Sequence, residues 1–90
     1  MLYMVLEVLA EPRTVYRRAH ERGRMLPAGL RYIDSWVDAN NLDRCFQLME
    51  TDHPELFDAW VAEWSDVGEF EVVPVIGSAE AAARVLDPQG

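Results

Sequence analysis

An α+β fold built on one antiparallel sheet is predicted by three features of the sequence. The elements read in the order β-α-β-β-α-β-α. Leu2 to Val8, LYMVLEV, is apolar on both faces, as suits a central strand covered on both sides. Glu69 to Ile76, EFEVVPVI, contains Pro74, which cannot donate to a ladder and therefore belongs on an edge strand or at a bulge. Two βαβ halves joined by a hairpin give the ferredoxin-like arrangement, βαββαβ with a short C-terminal helix and a four-stranded antiparallel sheet. Residues 1–86 form the single domain and 87–90 a tail.

The first strand is bounded by Ala10-Glu11-Pro12. Its one charged residue, Glu7, either reaches solvent at the strand end or faces a pocket. Pro12 to Met25 reads as a helix. Proline suits the first turn, Val15, Tyr16, Ala19 and Gly23 give an apolar stripe, and Gly23 with Pro27 ends it. Arg24 to Gly29 is a loop.

Leu30 to Ala39 and Leu42 to Thr51 form a hairpin, because Asn40-Asn41 tolerates the backbone of a two-residue turn. That turn sets Val37 opposite Arg44, Trp36 opposite Cys45 and Tyr32 opposite Met49. Alternation then gives two faces. One carries Ile33, Ser35, Val37, Phe46 and Leu48, a core face. The other carries Tyr32, Asp34, Trp36, Cys45, Gln47 and Met49, a mixture of rings, acid, amide and thioether.

Thr51 to Glu55 starts the next helix, capped by Thr51 or Asp52, and it runs to about Asp66. Phe57, Trp60, Val61 and Trp64 make its core stripe. Gly68 ends it, the Pro74 strand follows, and Ser78 caps the helix SAEAAARVL. In this arrangement the helices cover Ile33, Val37, Phe46 and Leu48. The face with Tyr32, Asp34, Trp36, Gln47 and Met49 stays open, and a second copy packed sheet to sheet is the expected cover. A homodimer through that open face is the expected partner arrangement.

Charge excludes one function class. The net charge of −8 disfavours nucleic acid, whose binding rests on neutralised phosphates. All eight basic residues are Arg, six of them between Arg13 and Arg31, whereas thirteen acids follow Tyr32, so a basic first helix should meet an acidic second half. The single cysteine, Cys45, excludes an internal disulfide and reads as a small core residue. No signal peptide or membrane span is evident, which points to the cytoplasm with no membrane partner.

The runs MLYMVLEV, YRRAHERGRMLPAGLRYIDSWVD, RCFQLMETD and EFEVVPVIGSAEAA resemble a family of short bacterial proteins of unknown function within the dimeric α+β barrels. The resemblance spans nearly the whole chain. It implies the fold and a homodimer, and it supplies no activity or catalytic residue. The wider barrel group includes cofactor-independent oxygenases, small isomerases, haem-degrading enzymes and plain binding proteins.

No nucleotide-binding, zinc-protease, hydrolase or EF-hand motif is present. His20 and His53 lie on different elements and neither falls on the open face. No metal or cofactor is expected, and haem ligation by either histidine is left open. Chemistry is expected on the open face, where Tyr3, Tyr32, Trp36, Gln47 and Met49 would line a small-molecule cleft with Glu7. A carboxylate walled by Trp and Met has its charged form disfavoured, which tunes a general acid or base. Asp34 is the first catalytic candidate and Glu7 the second. Two classes stay open: a dimer that binds a small molecule without chemistry, and a cofactor-independent oxygenase or isomerase acting on a small aromatic or polyketide-like compound.

Overall fold

The computed structural model describes residues 1–87, so all but the first residue of the expected 87–90 tail lies outside the described residues. Seven elements follow one another: β1 (Leu2–Leu9), α1 (Pro12–Arg22), β2 (Arg31–Val37), β3 (Arg44–Glu50), α2 (Leu56–Ala62), β4 (Gly68–Val75) and α3 (Ser78–Leu86). The strands form one antiparallel sheet in the order β2-β3-β1-β4. This is the ferredoxin-like order expected from the sequence. β1 is central, and the Pro74 strand is an edge whose missing N–H leaves no gap inside the sheet.

Local chemistry sets the element ends. Pro12 occupies the first turn of α1. Gly23 terminates the helix at φ +69°, three residues earlier than the sequence suggests. The backbone stays unusual for two residues more, since Met25 also has positive φ, +58°. α2 is shorter than its sequence stripe. Three-residue bonds such as Leu56 N–H to His53 O and Trp64 N–H to Val61 O replace regular helix at both ends. α3 is preceded by Gly77 in extended backbone, with no side-chain cap from Ser78.

The hairpin departs from its expected geometry in two places. No tight turn forms at Asn40-Asn41. Asp38 to Asp43 form a longer loop, in which Asp38 Oδ1 accepts from Asn40 N–H at 2.9 Å and Asn41 Oδ1 accepts from Asp43 N–H at 3.1 Å. The side chains thus make two successive local turns, and Val37 pairs with Cys45 rather than Arg44. A bulge between Tyr32 and Asp34 then absorbs one residue and restores Tyr32 opposite Met49.

The covered face is also reversed along β1, β3 and the start of β2, whereas beyond the bulge Asp34 and Trp36 lie on the uncovered side, as expected. The helices pack on Tyr3, Val5, Met49, Phe70 and Val72, with Phe57, Trp60 and Trp64 of the second helical segment at the centre of the core. Gln47 and Cys45 share that side by alternation along β3. Tyr32 and Gln47 are thus not on the open face, and Met49, like Val5, is fully buried in the core. Phe46 and Leu48, expected beneath helices, lie on the uncovered side and are only half-buried. The reason is that β1 and β3 are apolar on both faces. Periodicity separates two faces but does not say which is covered. The handedness of the βαβ crossovers decides that, and it leaves no local mark in the sequence.

Candidate ligand pocket

A cavity of about 200 Å³ lies between the covered sheet face and the helices. Its walls are aromatic and aliphatic: Trp60, Trp64, Phe70, Tyr16, Val15 and Leu9, with Trp36 and Val37 on the β2 side. All three tryptophans of the chain line it. Four residues bring chemistry to this apolar space: Glu7, Gln47, Arg24 and Cys45.

Glu7 is fixed by β1. Its register with Cys45 on β3 and Phe70 on β4 aims it at the helix side, and it is only 5 % exposed. Gln47 Nε2 donates to Glu7 Oε2 at 2.7 Å. The other oxygen, Oε1, accepts no hydrogen bond from the described residues. Glu7 lines the cavity, where Oε1 is its remaining acceptor. Burial raises the Glu7 pKa above the ordinary carboxylate value, and the Gln47 bond and the Arg24 charge offset part of the rise.

Arg24 organises the pocket from the loop after α1. Its carbonyl accepts both core indoles, Trp60 Nε1–H at 2.9 Å and Trp64 Nε1–H at 3.1 Å. Its guanidinium lies 3.6 Å from the Tyr32 ring centroid. Arg24 Nε donates to Gln47 Oε1 at 3.2 Å and Nη2 to Ser35 Oγ at 3.3 Å. Tyr32 and Ser35 complete the chain through a 2.7 Å contact between their hydroxyls. The network therefore runs Glu7–Gln47–Arg24–Ser35–Tyr32. The left-handed backbone at Gly23 and Met25, flanking Arg24, is what turns the chain there.

Cys45 stands beside Glu7 in the same cavity. Its thiol is held above its usual pKa by burial first and by the Glu7 charge second, while the nearby Tyr16 hydroxyl acts the other way. A thiol so placed is a poor nucleophile at neutral pH.

The sequence candidates separate. Glu7, Gln47, Tyr32 and Trp36 come together at or beside the cavity. Trp36 is half exposed and paired with Phe46, at the rim. Tyr3 is instead a core residue, with its ring 5.2 Å from that of Phe57. Met49 is core as well. Asp34 is exposed and accepts the Ser35 N–H at 2.8 Å, away from the cavity. Sequence reasoning missed Arg24, Ser35 and Tyr16. Arg24 follows a helix-ending glycine, which marks a turn but not the long-range partners.

No group of three or more His, Cys, Asp or Glu side chains gathers among the described residues in a way that would hold a metal ion. None of their helices is long and apolar enough to cross a membrane. No curated protein and no solved structure matches the chain. A family model does match, over residues 1–88, nearly the full sequence that builds both the sheet and the pocket. The chain belongs to the family described as Domain of unknown function (DUF3303).

Proposed function

We propose that this protein is a homodimer that binds a small molecule in the cavity centred on Glu7. The observation that carries the reading is one buried carboxylate with a free oxygen inside an aromatic-walled cavity. Apolar walls with a few fixed polar groups are the usual form of a small-molecule site. A carboxylate in the core without such a use would be a costly choice, since burial disfavours its charge. The ligand site is thus assigned to the helix-covered side rather than the open sheet face.

The uncovered face supports the dimer. Met4, Leu6, Phe46, Leu48 and Val73 lie there half-buried, with Val8 and Trp36 more exposed. An apolar patch of that kind marks an interaction surface. The free Cys45 suits a reducing compartment, so the reading places the protein in the cytoplasm.

A second reading, a cofactor-independent oxygenase or isomerase, is favoured by the raised pKa of Glu7, which suits a general base. Under it, Glu7 takes the proton and the exposed Asp34 has no part. Native mass spectrometry on protein purified without added ligand tests the main reading. A dimer that retains extra mass in wild type, and loses it when Trp64→Ala opens the cavity, is the expected result. A monomer that neither retains nor takes up any small molecule would contradict it.

A further inference from the structure

Resting on that reading, we propose that the cavity takes a neutral, single-ring aromatic molecule bearing one O–H or N–H donor, with the donor bonded to Glu7 Oε1. Three observations select this class. The first is size. A cavity of 150 Å³ accommodates benzene, so about 200 Å³ matches one ring with small substituents. The second is the wall. Trp60, Trp64, Phe70 and Tyr16 surround the space, and ring faces and edges are best matched by another ring.

The third is the charge pattern. Glu7 Oε1 is a single unfilled acceptor in a residue 95 % removed from solvent. A ligand anion would meet this carboxylate in an apolar space. A ligand cation would meet Arg24, whose charge already acts on Glu7 across the Gln47 bridge. A neutral donor avoids both conflicts and fills the open oxygen. The bond to an ionised carboxylate is charge-assisted and short, so it contributes more than a neutral contact would. Gln47 holds the other oxygen and Arg24 holds Gln47, which fixes the acceptor in position before the ligand arrives.

Trp60 and Trp64, buried in the wall, make intrinsic fluorescence a direct readout. The probes are phenol, toluene, benzylammonium and benzoate, each titrated over a pH range that spans the raised Glu7 titration. Phenol is expected to bind more tightly than the other three. Glu7→Gln should weaken phenol about tenfold, the difference between a charge-assisted and a neutral bond, and leave toluene unchanged. In wild type, phenol affinity should fall as pH drops through the Glu7 titration. Toluene binding as well as phenol, or phenol indifferent to both Glu7→Gln and pH, would overturn the donor assignment while leaving the cavity as a binding site. Tightest binding by benzylammonium or benzoate would overturn the neutral class. Binding of no probe would overturn the proposal together with the pocket reading beneath it.

Discussion

Glu7 is the residue whose physical chemistry most distinguishes this chain from a plain scaffold. Its carboxyl is raised by burial, so the native state holds its proton more readily than the unfolded chain does. The stability this confers is complete below the unfolded value and is lost as pH rises through the folded one. Glu7→Gln is neutral at every pH and keeps the shape. It should therefore melt at a higher temperature than wild type at about pH 8, with the gap closing as pH falls towards the ordinary glutamate value of about 4.3. Thermal unfolding at the two extremes checks this, and a gap that widened on acidification would contradict it. The same substitution acts on Cys45. With the Glu7 charge gone, one cause of the raised thiol value is removed. Reaction with a soluble disulfide reagent, slow in wild type, should become faster in Glu7→Gln.

Arg24 shows at the residue scale why part of the site was illegible. Its carbonyl meets indoles 36 and 40 positions away, and its guanidinium meets β2 and β3. Nothing in its sequence neighbourhood records those partners. Truncation to Ala keeps the carbonyl and removes the guanidinium from Tyr32, Gln47 and Ser35. About 1–2 kcal/mol of stability should be lost, the size of a cation–π contact with one hydrogen bond. Chemical denaturation measures it.

At the scale of elements, what the sequence expresses locally was legible and what it expresses by topology was not. The apolar β1, the Pro74 edge and the aromatic stripe of α2 each follow from residue type and spacing. The bulge after Tyr32 carries no glycine to announce it, and it changes which side chains Ser35 and Val37 accompany. Glu7, Tyr32, Trp36 and Gln47 were legible as unusual residues. The side taken by Glu7, Tyr32 and Gln47 was not, because crossover handedness acts over whole βαβ units, whereas Trp36 lies opposite Phe46 on the uncovered side as expected.

α1 illustrates a different economy. None of its residues is fully buried; Val15 and Ala19 pack against the core only in part, so edge contacts add to its anchoring. Arg18 supplies them: both its terminal nitrogens bond Asp66, at 2.9 and 2.8 Å, one also reaches Glu63 O, and the guanidinium lies 5.4 Å from the Trp64 ring centroid. This is the meeting of basic helix and acidic second half expected from the charge distribution. The Arg18 bond holds the Asp66 pKa down, so the tie is present above the ordinary aspartate value and weakens as pH falls through the depressed one. Arg18→Met should raise amide hydrogen exchange across α1 several-fold while β1 and β3 stay protected, since locally anchored elements open independently of the core.

The whole molecule is a thin slab. Its extents are 50 × 33 × 18 Å and its radius of gyration is 15.1 Å, against about 12 Å for a compact chain of this length. One helical layer covers one side of the sheet, and α3 projects with Val85 82 % exposed. A shape like this gains from a second copy on the uncovered face. Leu48→Asp places a charge among Met4, Leu6 and Phe46 there without touching the covered core. Sedimentation should show a dimer for wild type and self-association at least tenfold weaker for the variant, the usual cost of an unpaired charge in an interface. Unchanged association would move the interface elsewhere.

The most direct test of the pocket is the titration of the Glu7 side-chain carboxyl carbon by ¹³C NMR, with and without phenol. Titration above the ordinary glutamate range, with a phenol-dependent shift at Glu7 that the exposed acids do not share, is the result expected of a buried acceptor facing a binding cavity. An ordinary titration that phenol leaves unmoved would mean that Glu7 is solvated, and that the cavity is not the site.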